Sequence, residues 1–283
     1  MKEKGSWRKV LYEDQGVPDD YVDDSFLEEL RKNLYIRDYE YWSVVAESGV
    51  VTQHISCVAL FVVVFVYMDE NRLSPETLFI FSLFCALLGY YMNNFMEQRN
   101  FRIWSRRTRW DDLKTVIIIL AFSGGLSPVL MTLTDTISTD TVYAMTAFML
   151  LANILFHDYG ANAAMVSDSL SFNAGIFASV CLASRLETTW HAFATVTLAI
   201  ELFALWPVLR RKLKTHYQRS QVALPLLMGT VASMAIWSVS ITCAIVFISF
   251  QVFVSFACPA WLLNMQRFKN NIHGPWDEAV IRS

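Results

Sequence analysis

The residues that could do chemistry in this chain are few and scattered. Glu201 lies in Leu198-Ala199-Ile200-Glu201-Leu202-Phe203, an otherwise apolar run. A carboxylate at the centre of a bilayer costs about 2.5–3.5 kcal/mol, so it is expected to face other helices, a wet cavity or a partner. Two roles are open to it: a polar contact with a lipid headgroup or partner protein, or a protonated or hydrogen-bonded carboxyl that joins helices. His157-Asp158-Tyr159-Gly160, followed by Asn162 and Asp168, offers an imidazole beside carboxylates, the groups of general acid–base work. Adjacent residues rarely face one site and no nucleophile pattern accompanies them, so catalysis is not expected there. Residues 132–141 set Asp135 and Asp140 among hydroxyl side chains. Such a segment caps a helix or lines a polar cavity at the membrane edge. The sequence has no phosphate-cradling glycine loop, no Asp-x-Asp and no serine or cysteine nucleophile motif. All five cysteines fall in apolar runs without zinc-site spacing, so neither a metal nor a cofactor is expected.

The elements that must position these groups are set by composition. Of 283 residues, 54% are apolar and 17% charged, where a soluble domain carries about 25% charged residues. Apolar stretches run over 49–68, 77–96, 115–133, 141–156, 169–184, 188–209 and 222–263, and Glu201 is the only charged residue inside them. They hold 155 residues and leave 128 outside. Only a bilayer requires blocks of this kind. A separate nucleotide-binding domain needs roughly 100 residues in one piece, and the longest piece outside the blocks is the 48-residue N-terminal tail. The reading is all-α: a polytopic membrane bundle over 49–263, flanked by tails at 1–48 and 264–283. The polar tail contains no signal peptide, so the first block is expected to act as an uncleaved insertion signal. A net charge of −3 gives no nucleic-acid signature.

Charge sets the topology. The 42-residue block at 222–263 is long enough for two spans of about 20 residues. With eight spans and both termini cytosolic, 21 Lys and Arg lie on the cytosolic side and only Arg72 and Arg185 on the other. Seven spans give 18 to 5. Eight is preferred, with a turn expected near 237–242. Ser74 before Pro75 reads as a helix start, and Asp111, Asp140 and Asp168 stand where N-caps are expected. Ser123-Gly124-Gly125-Leu126-Ser127-Pro128 should kink or break the third helix. Ala174/Ala178 and Gly175/Ser179 are small-residue pairs four apart, suited to close helix packing. His54, Asn93, Asn94, Asn153, Asn173 and Gln251 are expected to form interhelical hydrogen bonds. In the tail, Ser25-Phe26-Leu27-Glu28 is a capping box, and Leu27, Leu30 and Leu34 follow at helical spacing, which predicts a short amphipathic helix. The basic pairs Arg106-Arg107 and Arg210-Arg211 follow from orientation alone, but could also hold anionic headgroups or a partner.

Several motifs are not dictated by membrane composition. They include Trp7-Arg8-Lys9-Val10-Leu11-Tyr12-Glu13, Pro18-Asp19-Asp20-Tyr21-Val22-Asp23, Ser127-Pro128-Val129-Leu130, Ser138-Thr139-Asp140-Thr141-Val142-Tyr143, Asp158-Tyr159-Gly160-Ala161-Asn162-Ala163, Phe203-Ala204-Leu205-Trp206-Pro207 and Asn271-Ile272-His273-Gly274-Pro275-Trp276-Asp277-Glu278-Ala279. In order and content this set resembles the PIG-C family, a family of phosphatidylinositol N-acetylglucosaminyltransferase subunits. Asp20 stands where the family usually has Asn, and His157 where it has an apolar residue. The resemblance implies a subunit of the complex that transfers N-acetylglucosamine from UDP-N-acetylglucosamine to phosphatidylinositol. That reaction is the first step of glycosylphosphatidylinositol (GPI) anchor synthesis, at the endoplasmic reticulum membrane. It further implies that the glycosyltransferase fold belongs to PIG-A, with PIG-H, PIG-Q, PIG-P and PIG-Y as further partners. This chain would then be a non-catalytic multi-pass scaffold that helps present phosphatidylinositol. Pro128, Asp135, Asp140, Asp158 and Trp276 are read as structural or interface positions. A polytopic lipid-modifying enzyme, and a lipid transporter or scramblase, are the alternatives. The lack of an internal repeat counts against the transporter.

Overall fold

A computed structural model of the chain describes residues 31–32, 39–99, 109–133, 136–160, 168–217, 219–269 and 272–273. The described residues are almost entirely helical. The helices are α1 (Tyr41–Asp69), α2 (Pro75–Arg99), α3 (Arg109–Leu133), α4 (Thr139–Phe156), α5 (Asp168–Ala183), α6 (Thr189–His216), α7 (Ser220–Val239) and α8 (Ile241–Gln266). Six of them, α1, α2, α4, α6, α7 and α8, are long and apolar enough to cross a membrane. The other two expected spans coincide with shorter apolar stretches, Lys114–Gly125 in α3 and Ser169–Ala183 in α5.

The 42-residue apolar block is cut where a turn was expected. Ser240 leaves helical geometry at φ −155°, ψ 124°. Its N–H donates to the Ile236 carbonyl at 2.8 Å, closing α7, and its hydroxyl accepts the Cys243 N–H at 3.4 Å, opening α8. One serine thus satisfies orphan groups of two helix ends.

The chain divides into two units, Trp42–Pro259 and Met1–Tyr41 with Ala260–Ser283. In the larger, α1 and α6 run through the interior. Val58, Phe61, Phe65 and Met68 of α1 pack with Leu150 of α4, Ala178 and Leu182 of α5, and Ala194, Leu198 and Phe203 of α6. Phe61 and Phe203 meet edge to face at 5.4 Å. The small-residue pairs of α5 perform as their spacing suggests: Ala174, Gly175, Ala178 and Ser179 are all buried. Gln251 of α8 donates to the Thr52 carbonyl at 3.1 Å and to the Ser56 hydroxyl at 2.9 Å, which ties α8 to α1. Outward faces are apolar: Ile80, Phe81 and Phe84 of α2, Leu226, Met234 and Trp237 of α7, and Ile245, Val246 and Trp261 of α8 are all exposed. Surfaces of this kind call for lipid or a partner.

Several local expectations are corrected. Helix α3 passes unbroken through Gly124, Gly125 and Pro128. Proline removes one backbone hydrogen bond, and packing supports the helix, since the Phe193 ring of α6 lies where a Cβ at Gly124 would come to 3.7 Å. Ser138, not Asp140, caps α4, accepting the Thr141 N–H at 3.4 Å. Asp140 instead occupies the first turn, where its charge suits the helix dipole. Asp111 and Asp168 fall inside the helix bounds rather than before them. In the smaller unit, Arg31–Lys32 pairs antiparallel with Ile272–His273, in register Arg31↔His273 and Lys32↔Ile272. The amphipathic helix expected from Ser25 to Leu34 therefore gives way to extended backbone at these two residues. Strand pairing across the chain overrides local helical spacing there; the other residues of that segment lie outside the described residues.

Candidate functional site

A buried polar cluster in the bundle is built from four helices and one loop. His54 comes from α1 and points with Val50, Cys57 and Phe61 along one buried helical face. Asn153 sits one turn before the end of α4, and His157 follows four residues later on the same face. Ser171 lies in the first turn of α5 and Arg210 in the last part of α6. Each of these five side chains is buried, and Arg210 is only 6% exposed.

The hydrogen bonds have a direction. The Arg210 guanidinium always carries its protons, so its Nη2 must donate to His157 Nε2, at 3.3 Å. That leaves the proton of neutral His157 on Nδ1, 3.4 Å from the Ser171 hydroxyl. Ser171 Oγ donates in turn to the Asn153 carbonyl at 2.8 Å. The Asn153 amide donates back to the Ser171 carbonyl at 2.7 Å and to its hydroxyl at 3.1 Å. His54 Nε2 donates to Asn153 Oδ1 at 3.0 Å. The two imidazoles stack, with centroids 3.9 Å apart and planes 7° from parallel. Tyr159 packs edge-on against both rings and donates to the Ile154 carbonyl at 2.6 Å.

Electrostatics keeps the loop imidazole neutral. Burial first, then the positive charges of Arg210 and Arg211, pull His157 down to about 4. Burial pushes the Tyr159 phenol above its ordinary value, with Arg210 opposing. Neutral His157 can therefore accept from Arg210, which a protonated ring could not do.

The residues singled out from sequence are placed differently from one another. Arg210 and Arg211 part company: Arg210 turns inward and donates to the Val50 carbonyl at 3.4 Å, while Arg211 is exposed and pairs with Asp158 at 3.2 Å. Of the pair, Arg211 is the one at the surface. Asp158 also accepts the Gly160 N–H at 2.8 Å, and Gly160 takes a positive φ of 90° that favours glycine. Glu201 accepts from the Ser82 hydroxyl of α2 at 2.6 Å. It opens a π-turn, Glu201–Leu205, in which the Trp206 N–H bonds to the Glu201 carbonyl. This is a helix-joining carboxyl set at a local widening of α6. Lys212 donates to Asn93 Oδ1 at 2.6 Å, again joining α6 to α2. Pro128 and Asp140 are exposed, Pro128 on α3 and Asp140 in the first turn of α4, and neither is among the cluster's hydrogen-bonded residues. Arg106, Arg107, Asp135 and Trp276 lie outside the described residues. Among the described residues no group of three or more His, Cys, Asp or Glu side chains is arranged to hold a metal.

Sequence reasoning missed the cluster itself. His54 and Asn153 were expected to bond between helices, as they do to each other at 3.0 Å, and His157 was weighed only with Asp158 as an acid–base pair in a loop. The available signal was the four-residue spacing of Asn153 and His157 on one face. Gln53 gave no signal at all: it is 1% exposed, and its amide nitrogen has no hydrogen-bond partner among the described residues.

Comparison with known proteins was decisive for the family. The profile described as phosphatidylinositol N-acetylglucosaminyltransferase, GPI2, matches residues 7–277. The PIG-C subunit of Bos taurus phosphatidylinositol N-acetylglucosaminyltransferase is 53% identical over 276 residues, 98% of this chain and 93% of that protein. Its Homo sapiens counterpart is 51% identical over the same shares. The GPI2 subunit of Schizosaccharomyces pombe is 37% identical over 293 residues, 98% of this chain and 87% of that protein. No solved structure matches the chain.

Proposed function

Since the chain belongs to the phosphatidylinositol N-acetylglucosaminyltransferase (GPI2) family, we propose that it is a non-catalytic membrane subunit of the complex that transfers N-acetylglucosamine from UDP-N-acetylglucosamine to phosphatidylinositol. It scaffolds a catalytic subunit at the endoplasmic reticulum membrane and helps present the lipid. In this reading PIG-A carries the transferase chemistry, and PIG-H, PIG-Q, PIG-P and PIG-Y complete the assembly. The bundle has eight spans with both termini cytosolic. The observation that carries the proposal is the near-complete correspondence with the named subunits, 98% of this chain. The helical architecture supports it, because the outward apolar faces of α2, α7 and α8 suit lipid or other membrane subunits.

Deleting the gene and measuring N-acetylglucosaminyl-phosphatidylinositol made by microsomes tests the reading. Product should vanish and return on re-expression; undiminished product overturns it. Scaffolding separates from lipid presentation by neutralising Arg106, Arg107 and Arg211. A fully assembled complex whose Michaelis constant for lipid rises supports presentation, whereas failed assembly leaves scaffolding as the sufficient role.

A further inference from the structure

Arg210 poses a problem of charge. A buried guanidinium is strongly unfavourable unless an anion or a full set of acceptors meets it. Its hydrogen-bond partners are both neutral and both long, the Val50 carbonyl at 3.4 Å and His157 Nε2 at 3.3 Å. A guanidinium has five N–H donors, and these contacts, the ones made among the described residues, use two. The carboxylate on the adjacent loop, Asp158, is already engaged by Arg211 at 3.2 Å and by the Gly160 N–H at 2.8 Å. No carboxylate forms an ion pair with Arg210 among the described residues. A second group independently lacks an acceptor. The Gln53 amide nitrogen is buried with no hydrogen-bond partner among the described residues. Gln53 is three residues from Val50, whose carbonyl Arg210 touches, and side chains three apart on a helix share a face. The cluster thus has donors in excess and acceptors in deficit.

The position suggests what supplies the missing acceptors. Arg210 lies six residues before the end of the candidate span Thr189–His216, and Arg211, Lys212 and Lys214 follow it. That is the depth of headgroup phosphates, where basic side chains gather. Phosphate oxygens are anionic, accept only, and match the planar fork of arginine.

We infer that Arg210 and Gln53, flanked by the 157–160 loop, form a binding site for the phosphodiester of an anionic phospholipid. This deepens the lipid-presentation reading above and rests on it. His157 is a positioning residue in the site: it holds the guanidinium through Nε2 and is itself held through Ser171 and Asn153. The stacked ring of His54 fixes its plane.

The test uses the assembled complex containing the full chain, stripped of lipid and placed in nanodiscs of phosphatidylcholine with or without one-tenth phosphatidylinositol. Native mass spectrometry reads the phosphatidylinositol retained. Wild type should retain it over phosphatidylcholine, and its melting temperature should rise with phosphatidylinositol content. R210Q should bind about 10–100-fold more weakly, the worth of a hydrogen-bonded charge. Q53L, a change that removes an unsatisfied buried donor and is expected to fold, should weaken binding about 3–10-fold. Absence of both preference and thermal shift in wild type overturns the inference without any variant. Wild-type affinity in folded Q53L and R210Q overturns it also. Inorganic phosphate that stabilises the complex while phosphatidylinositol does not overturns the lipid source. The subunit reading fails separately: there, gene deletion leaves product formation intact whatever the binding result.

Discussion

Replacing Gly175 by alanine sets two effects on α5 against each other. A helix gains about 1 kcal/mol when alanine replaces an interior glycine. Here the new Cβ would stand 2.8 Å from Phe203 Cδ2, 3.0 Å from its Cγ and 3.1 Å from Asn153 Nδ2. Neither neighbour yields cheaply. The Phe203 ring is 4% exposed and packs edge-on against Phe61 at 5.4 Å. Asn153 Nδ2 is held by the Ser171 carbonyl at 2.7 Å and hydroxyl at 3.1 Å. Overpacking of this kind costs about 1–3 kcal/mol, and losing one buried hydrogen bond about 1–3 kcal/mol more. Set against the propensity gain, the net is a destabilisation of about 1–5 kcal/mol. In a detergent melt that lowers the midpoint by about 2–20 °C at 2–4 °C per kcal/mol. Adding Phe203→Leu, which frees the space, should recover part of the loss. A Gly175→Ala protein that melts at or above the wild-type temperature would show that propensity wins and that the close approach of α5 to α6 is not tight.

Other perturbations read the same framework. Asn153→Ala leaves the His54 Nε2–H and the Ser171 carbonyl without the Asn153 side chain that meets both and should cost about 2–4 kcal/mol, against an unchanged melting point if the network is dispensable. The His157 imidazole, held near 4 in the fold against an unfolded value of 6.5, binds its proton more readily when unfolded. Stability is therefore complete above pH 6.5 and falls as pH drops from there toward 4, by at most about 1.4 kcal/mol per pH unit; His157→Gln should flatten melting curves over that window, and an identical slope refutes the assignment. For the topology, labels placed beside Arg72 and Arg185 should be shielded from protease in sealed microsomes while labels at both termini are cut. Cleavage at one terminus only would require an odd number of spans.

Much of the architecture was legible from residue order. Ser240 stands mid-block where a short polar residue can cap in both directions, and the charge count asked for a break there. Glu201 was expected to face other helices, a wet cavity or a partner, and the Ser82 hydroxyl of α2 meets it. The segment 123–128 was expected to kink or break α3, and no break occurs there, since packing of the Phe193 ring at Gly124 helps offset what proline costs. The tail misled because Leu27, Leu30 and Leu34 encode a helical stripe, yet Arg31–Lys32 pairs with Ile272–His273, some 240 positions away in the chain. No local pattern contains that information.

By itself the sequence determined an all-helical chain with stretches apolar enough to cross a membrane, where those helices lie, and which family it belongs to, although α1 begins at Tyr41 rather than 49 and α6 runs to His216 rather than 209. Those properties depend on the solvent each stretch requires and on strings of residues, both written in order along the chain. Only the tertiary structure decided which of two adjacent arginines faces inward. Arg210 and Arg211 are identical in type and lie about 100° apart around α6, so composition treats them alike. Packing of α6 against α1 and the 157–160 loop sends one into a buried cluster of neutral partners and leaves the other paired with Asp158 at the surface.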